Sequence, residues 1–387
     1  IRDFCLSRGL GDVYKRQLLI SSCSTLAFWS DDSEEDLIEP VSLESIKDEY
    51  SISVEWKKSF KGKNSLGSFK PSFYSGSMLI ADPEGNVHSV NAVSGKINWQ
   101  INLDRELSSG VASGFGKLVV SDIDGFVIAI DSERQDIIWE KNIGGEILSN
   151  VVISASNVIA KNSVGELVAL DSSSGEKNWS FRSQLPALTV RGTGEPIIED
   201  GIVFSTFDNG RLAAFQLDTG FFLWDAPISF LEGSSELENL IDADSAPILA
   251  KQLIFATNYQ GNLTAFDIAQ KRPVWNEDAS SFYSPIAVNN MIIVIQDDSS
   301  IISFSLNNLS KSWTSEEYLR RDLSNGAVYK NLLLVGDLEG YVHVINPLTG
   351  ITVGRKKVTG KPIMSIVTFR DLAYVVDQDS NIVAIKL

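Results

Sequence analysis

The stretch GELVALDSSSGEKNW, residues 165–179, contains an apolar run, a polar turn with its own glycine, and a tryptophan fourteen positions after the first glycine. Equivalent units begin at eight places, 38 to 51 residues apart. The first residues of these units are Gly85, Gly125, Gly165, Gly210, Gly261, Ser299, Gly340 and Ser380. Self-similarity at such a period is typical of a repeat architecture, in which each unit packs against its neighbours.

Each unit begins with a segment that the pattern predicts to be a buried strand. The positions two and five residues after each start are aliphatic or aromatic throughout, as Leu167 and Leu170 are in the quoted unit. Apolar residues on both faces indicate a strand that is covered on both sides. Between them lies a column of alanine, serine and one valine, represented here by Ala169. This column predicts that a bulky group packs tightly against the strand.

The tryptophan at position fourteen is predicted to be that bulky group. The seventh unit has Gly354 instead, and the eighth unit ends seven residues after Ser380. Trp56, in SVEWKKSF near the beginning of the domain, would supply the missing tryptophan of the eighth unit. Its strand would then complete the sheet that NIVAIKL, residues 381–387, begins. The six regular members of the column are Trp99, Trp139, Trp179, Trp224, Trp275 and Trp313.

Further apolar runs precede each start, for example KLVV before Gly125 and QLIF before Gly261, and shorter segments such as SAPIL and YSPIA precede those runs. Four strands per unit, closed into a ring, are typical of a β-propeller. We therefore predict an all-β fold for residues 50–387, an eight-bladed β-propeller whose ring is closed by pairing of the N- and C-terminal strands in one blade.

Composition narrows the possible partners. The net charge of −17 would repel nucleic acid and anionic membrane surfaces, so neither is predicted as a main partner. The sequence has no uninterrupted apolar run of 18 residues, so no transmembrane helix is predicted.

The N-terminal region is predicted to lie outside the propeller. Residues 1–17, with GDVYKRQ, resemble a translated sequencing adapter and are set aside. LLISSC resembles a bacterial lipobox, which makes residues 18–22 the remnant of a signal peptide and Cys23 the lipidated residue. Ser24, where inner-membrane lipoproteins usually have aspartate, points to the outer membrane. The alternative is an ordinary buried cysteine.

Residues 23–49 are predicted to combine the lipidated cysteine with an acidic, flexible tether. DDSEEDLIEP, residues 31–40, is a block of like charge without an apolar period. The alternative is a capping segment that lies on the surface of the domain.

AIDSERQDIIW, residues 129–139, and ALDSSSGEKNW, residues 169–179, resemble the repeat of pyrroloquinoline-quinone enzymes and their relatives. The resemblance implies that the tryptophan docks between blades. It leaves open a quinoprotein dehydrogenase or a non-catalytic propeller built from the same repeat. An enzyme of this kind would need a quinone and a metal in the central channel, and many also carry adjacent cysteines. The sequence has no adjacent cysteines, so we predict no catalytic, cofactor-binding or metal-binding residues.

Other polar residues have simpler explanations. His88 and His343 occupy the same position of two different units, so they are predicted to be strand residues rather than members of one catalytic site. Acidic turns such as SDIDG, residues 121–125, and GDLEG, residues 336–340, lack the ligand spacing of a calcium site, and aspartate is an ordinary turn former.

Two long intervals between units mark a candidate binding site. They contain QLPALTVRGTGEP, residues 184–196, and LEGSSELENLIDADSAP, residues 231–247, on both sides of one unit. Such insertions extend loops on one face of a propeller, so the two should be neighbours. Apolar residues beside both signs of charge suit a protein partner. In the alternative, the apolar residues begin a strand and the charges pair internally. The candidates are Leu188, Val190, Arg191, Asp242 and Asp244.

With LTVRG at residues 188–192 and LIDADSAP at residues 240–247, the whole of residues 50–387 resembles the lipoprotein propellers of the outer-membrane β-barrel assembly machinery. The resemblance implies a scaffold, anchored to the periplasmic face of the outer membrane, that binds the POTRA domains of BamA and assists delivery of unfolded outer-membrane proteins. It assigns the contacts to the five loop candidates, with Val190 replacing the usual leucine. A periplasmic propeller with another protein partner stays an alternative.

Overall fold

The computed structural model describes residues 39–63, 68–184, 194–229 and 245–387. From Pro40 onwards the chain forms one compact unit. All regular elements in the described ranges are β-strands, and these ranges include no helix long and apolar enough to cross a membrane. The predicted lipidation residue, Cys23, lies outside the described residues.

The strands form eight four-stranded antiparallel sheets, here called blades 1 to 8, which confirms the predicted fold. The strands of blades 1 to 4, from first to fourth, are β2 (Ser72–Tyr74), β3 (Ser77–Ala81), β4 (Asn86–Asn91) and β5 (Ile97–Asn102), then β6 (Ala112–Gly114), β7 (Lys117–Ser121), β8 (Phe126–Asp131) and β9 (Ile137–Asn142), then β10 (Val152–Ile153), β11 (Asn157–Lys161), β12 (Glu166–Asp171) and β13 (Lys177–Arg182), then β14 (Ile197–Glu199), β15 (Ile202–Phe207), β16 (Arg211–Gln216) and β17 (Phe222–Pro227).

The strands of blades 5 to 8, in the same order, are β18 (Ile248–Ala250), β19 (Leu253–Thr257), β20 (Asn262–Asp267) and β21 (Arg272–Asp278), then β22 (Ile286–Val288), β23 (Met291–Ile295), β24 (Ile301–Ser305) and β25 (Lys311–Ser315), then β26 (Ala327–Tyr329), β27 (Leu332–Gly336), β28 (Tyr341–Ile345) and β29 (Thr352–Lys357), then β30 (Ile363–Phe369), β31 (Leu372–Asp377), β32 (Asn381–Lys386) and β1 (Ser53–Ser59). Blade 8 thus takes its fourth strand from the beginning of the domain, as the sequence predicts.

The tryptophan column behaves as its spacing indicates. Trp179 lies directly opposite the small residue Ala169 in its own blade, and Trp56 lies opposite Ala384 across the closing pair of strands. A register shift follows this pair in both blades. Each third strand therefore leaves room for a large ring on its neighbour.

The indole rings also reach the next blade. Trp139 Nε1 donates to the carbonyl oxygen of Ser172 over 3.1 Å, in the turn between β12 and β13. A Cβ atom on Gly175, in the same turn, would lie only 2.6 Å from the Trp139 ring. Among the tryptophans in the described residues, four donate in this way, and each of these four faces a glycine with positive φ. These pairs are Trp56 with Gly95, Trp139 with Gly175, Trp179 with Gly220 and Trp313 with Gly350.

The hydrophobic core is divided among the junctions between blades. Buried side chains of the described residues group into eight clusters, and each cluster combines strands of two adjacent blades. A single blade would expose both apolar faces to water, so its burial depends on both neighbours. Closing the ring therefore gives every blade two partners.

Blade 7, which has Gly354 in place of the tryptophan, is covered differently. The backbone N–H groups of Glu49 and Tyr50 donate to the carbonyl oxygen of Val353 over 2.8 and 3.0 Å. The carbonyl oxygen of Tyr50 would lie 2.4 Å from a Cβ atom on Gly354. In the described residues of blade 8, no hairpin turn joins the third strand to the fourth, since β32 and β1 come from opposite ends of the domain. The N-terminal segment, residues 40–52, lies here, and Gly354 lets its backbone approach.

The propeller domain begins at Pro40, earlier than residue 50, where the sequence-based prediction places its boundary. Val41 donates its N–H to the carbonyl oxygen of Leu319 over 3.1 Å, and Leu43 packs against the cluster between blades 6 and 7. Residues 40–49, assigned above to the tether, therefore lie on the domain, as in the capping alternative. The sequence pattern missed this because the contacts go largely to backbone groups. Residues 23–38 of the predicted tether lie outside the described residues.

Candidate functional site at the bases of two loops

The two candidate loops leave the propeller on one face. Because strands alternate in direction, the turns between second and third strands lie on the same side as the connections between blades. We call this side the loop face. Residues 185–193 belong to the connection between blades 3 and 4, and residues 230–244 belong to the connection between blades 4 and 5. Blade 4 therefore has one candidate loop on each side.

The first loop begins at a residue that is held by blade 4. The N–H group of Ser183 donates to the carbonyl oxygen of Gly165 over 2.9 Å. Its hydroxyl accepts a hydrogen bond of 2.9 Å from Asn209 Nδ2, in the turn after β15. The base of this loop thus joins blade 3 to blade 4.

The second loop is fixed at both of its ends. Ser229 Oγ donates to Asn258 Oδ1 over 2.8 Å, and Ser245 Oγ donates to the carbonyl oxygen of Thr257 over 2.8 Å. Thr206 Oγ1, on β15, donates to the carbonyl oxygen of Ser245 over 2.8 Å. Thr206 lies three residues before Asn209, which holds the first loop. The bases of the two loops therefore meet on blade 4, as the sequence predicts for insertions on the two sides of one unit.

A buried lysine, Lys161, and a buried carboxyl, that of Asp208, lie beneath these bases. Lys161, 4% exposed, donates from Nζ to the carbonyl oxygen of Thr206 over 3.1 Å. Burial raises the pKa of the Asp208 carboxyl, although the charge of Lys161 opposes this rise. The site thus rests on polar groups whose bonds are short and shielded from water. The sequence gives no signal for this role of Thr206 and Asn209, because such residues are common at strand ends.

The five candidate contact residues lie in the loops themselves, outside the described residues, and their assignment stays a prediction. The structure describes the bases from which those loops project. The undescribed candidates are Leu188, Val190, Arg191, Asp242 and Asp244.

The central channel allows a test of the quinoprotein alternative. A cavity of about 480 Å³ is lined by Lys70, Asn150 and Glu195, among others. Removal from water raises the pKa of the Glu195 carboxyl, against the effects of the Lys70 charge and a hydrogen bond with Asn150. Asn150 Oδ1 also accepts the N–H of Gly110 over 2.8 Å. One carboxylate beside a lysine is a poor donor set for a divalent cation, which prefers several oxygens. These residues do not fit the metal that such an enzyme requires.

The two histidines lie on strands of blades 1 and 7, where the sequence predicts them. His88 Nε2 lies 3.2 Å from Asp82 Oδ2, and His343 Nε2 lies 3.0 Å from Asp337 Oδ2. The other oxygen of Asp337 accepts the N–H of Tyr341 over 2.9 Å, in the GDLEG turn. The aspartates thus order turns and orient histidines.

Around His343 this arrangement extends into a buried charged network that the sequence analysis missed. Asp337 accepts two bonds from Arg321, and Arg355 Nε donates to His343 Nδ1 over 3.0 Å. Because an arginine side chain only donates hydrogen bonds, Nδ1 of His343 is an acceptor. The proton of the imidazole is therefore on Nε2, which donates a hydrogen bond to Asp337. Arg321 and Arg355 also donate to the carbonyl oxygens of Val41 and Glu44 over 2.9 and 2.7 Å. The network therefore fastens the N-terminal segment.

A closed eight-bladed propeller with enlarged loops beside one blade is the class that the fold and site define. Residues 83–315 match the family model of the outer membrane protein assembly factor BamB. The chain is 38% identical to the outer membrane protein assembly factor BamB of Pseudomonas aeruginosa over 347 residues, which cover 89% of this chain and 91% of that protein. The chain belongs to the BamB family.

Two solved structures have the same fold. BamB from Moraxella catarrhalis superposes with a TM-score of 0.79 at 23% identity, covering 87% of this chain and 100% of that one. Quinohemoprotein alcohol dehydrogenase from Comamonas testosteroni gives a TM-score of 0.67 at 13% identity, covering 86% of this chain and 76% of that one. At these identities the likeness concerns the fold alone.

Proposed function

We propose that this protein is a non-catalytic scaffold of the outer-membrane β-barrel assembly machinery, and that it binds the POTRA domains of BamA through its two enlarged loops. The observation that carries the proposal is the meeting of both loop bases on blade 4, at Thr206 and Asn209. Loops with a common rigid base can present one continuous surface to a folded partner. Membership in a family of assembly factors supports the same conclusion.

The contact residues in this proposal are the five loop candidates. Leu188 and Val190 would supply apolar contact, and Arg191 would pair with carboxylates of the partner. Asp242 and Asp244 would pair with its basic side chains. Charges placed in this way favour one orientation of the partner and raise the association rate.

The proposal also places the protein on the periplasmic face of the outer membrane, held by a lipid on Cys23. Replacing Cys23 with alanine should release the protein into the soluble periplasmic fraction and remove the acyl mass from the N-terminal peptide. Retention of that mass would contradict the assignment of this residue.

The absence of catalysis is part of the proposal. It is supported by the lining of the cavity of about 480 Å³, in which Glu195 is the one carboxylate among the described residues and Lys70 and Asn150 are its polar neighbours. Addition of calcium and quinone should give no bound-cofactor absorbance. A stoichiometric absorbance change would contradict this part of the proposal.

The deciding experiment measures the affinity of the protein for the POTRA domains of BamA from the same organism. Arg191→Glu should weaken binding by about 2 to 5 kcal/mol, because it reverses a charge at the interface. The matched control is Arg134→Glu, an exposed arginine in the turn between β8 and β9 on the opposite face. Equal affinities of the two variants would contradict the assigned site, and absence of binding by the unmodified protein would contradict the assigned partner.

A further inference from the structure

We propose that Tyr259 and Phe282 form an aromatic contact surface for the same POTRA domains, beside the second loop. This inference rests on the proposed function and adds two described residues to its site. Tyr259 lies in the turn between β19 and β20, and Phe282 lies in the connection between β21 and β22. Both positions belong to the loop face.

The two rings form a stacked pair at the surface. Their centroids are 4.3 Å apart and their planes differ by 15°. Phe282 is 37% exposed, and neither ring belongs to any of the eight core clusters found among the described residues. Offset stacking holds the rings in a fixed orientation. The pair is thus an ordered apolar surface that the core does not account for.

Contacts around the pair tie it to the ends of the second loop. Thr257 and Asn258, which hold Ser245 and Ser229, directly precede Tyr259. On the other side, the N–H of Ser281 donates to the carbonyl oxygen of Asn258 over 3.2 Å. Thr257 Oγ1 donates to the carbonyl oxygen of Tyr283 over 2.8 Å. Thr257 and Asn258 therefore bond both to the ends of the loop and to the two neighbours of Phe282, so a partner that binds the loop would also lie near the rings.

The aromatic residue is peculiar to this blade. Tyr259 lies two positions before the start of its unit, and no other unit has an aromatic residue there. The turn itself therefore does not require an aromatic ring. Exposed aromatic residues are enriched among those that dominate binding energy at protein interfaces. The equivalent residues are Pro83, Ile123, Ser163, Asp208, Asp297, Leu338 and Gln378.

Charge around the pair indicates the chemistry of the partner surface. Ser280, two residues before Phe282 in the same connection, donates from Oγ to Oδ2 of the exposed residue Asp297 over 2.9 Å. Asp298 follows and is also exposed. An apolar pair with an acidic rim complements an apolar patch bordered by lysine or arginine. We therefore expect the POTRA domain to present such a patch here.

The test compares Phe282→Ser and Tyr259→Ser with the unmodified full chain in binding to the isolated POTRA domains. Each substitution should weaken the affinity about tenfold to a hundredfold, as for a residue that dominates an interface. The melting temperature should change little, since the pair lies outside the core clusters. Phe282→Leu keeps an apolar side chain without the stack and should give a smaller loss, and it stays informative if a serine variant folds poorly.

Phe115→Ser provides the matched control, because Phe115 is 59% exposed in the turn between β6 and β7 on the opposite face. It should leave the affinity unchanged. If the variants at Tyr259 and Phe282 bind as tightly as the unmodified chain while Arg191→Glu does not, the aromatic surface is refuted and the proposed function stands. If the unmodified chain does not bind, both fail. Loss of cross-linking to unfolded client peptides with normal POTRA binding would also overturn the inference.

Discussion

The junction between blades 2 and 3 and the junction between blades 7 and 8 close the same kind of gap by different means. At the first, the Trp139 ring lies over Gly175 and its N–H reaches the carbonyl oxygen of Ser172. At the second, Gly354 replaces the tryptophan and the backbone of Tyr50 occupies the space. Both arrangements combine close packing with a hydrogen bond. Each junction therefore requires that the space between the two blades be filled and that a hydrogen bond join them. A tryptophan ring can do this, and so can the backbone of another segment of the chain.

The largest effect should come from the regular junction. Trp139→Ala removes a side chain that is only 8% exposed and should lower the free energy of unfolding by about 3 to 5 kcal/mol. Chemical denaturation followed by circular dichroism measures this loss. Trp139→Phe retains an aromatic ring without the N–H donor and should lose less. Equal losses for the two variants would mean that the hydrogen bond, rather than packing, dominates.

At the irregular junction, Arg355→Ala should detach the N-terminal segment. It removes the partner of Glu317 and the donor to Glu44, and breaking this half-buried pair should cost about 1 to 3 kcal/mol, between the values for exposed and buried pairs. Trypsin should then cleave after Lys47 much faster than in the unmodified protein. Arg211→Ala, which breaks an exposed pair with Asp225, should leave that cleavage rate unchanged. Slow cleavage in both variants would show that the segment is held by other contacts.

A smaller effect at the same junction tests the role of the glycine. Gly354→Val would place a Cβ atom 2.4 Å from the carbonyl oxygen of Tyr50, and such overpacking costs about 1 to 3 kcal/mol. Thermal denaturation measures the change. Gly360→Val is the control, because no heavy atom of the described residues outside its chain neighbours lies within 4 Å of its added Cβ atom. Equal changes in the two variants would refute the close approach of the segment.

The smallest effect concerns pH. Burial, helped by the charges of Arg355 and Arg321, lowers the pKa of His343 below its usual 6.5 despite the bond to Asp337. Below pH 6.5 the unfolded chain therefore binds a proton that the folded protein does not. The free energy of unfolding should fall on acidification by up to about 1.4 kcal/mol per pH unit from this group, and stop falling below its folded pKa. His343→Gln should show a shallower dependence between pH 6.5 and 5, and an unchanged slope would contradict the assignment.

The regular part of the fold could be predicted because the regular units repeat the same packing arrangement, in which a small residue faces a large one on the neighbouring strand. The small residue at Ala169 and the tryptophan at Trp179 are partners across a pair of strands, so their spacing carries the geometry directly. The same rule placed Trp56 beside β32. Repetition thus supplies several independent observations of one structural relationship.

The parts that escaped prediction depend on contacts that occur once. Residues 40–49 bond to backbone groups of the blades and, through their own carbonyl oxygens, to Arg321 and Arg355, and a backbone carbonyl leaves no mark in the sequence. Gly354 was visible in the sequence as an exception to the tryptophan column, but its cause is the backbone of Tyr50, 304 residues earlier. At the candidate site, the lengths of the intervals between units predicted that the two loops are neighbours. The hydrogen bonds of Thr206 and Asn209 to the loop bases could not be predicted, because such residues are common at strand ends.

The closing pair of strands has a consequence for the order in which the molecule can fold. Ser53 and Lys386, which are opposite each other on β1 and β32, are 333 residues apart in sequence. Blades 1 to 7 each fold from local hairpins, whereas blade 8 must bring together the two most distant strands, and such non-local pairing is slow. Until then the array has unsatisfied edges at both ends, which are prone to aggregate. A protein of an assembly machinery would thus itself depend on protection during its last folding step.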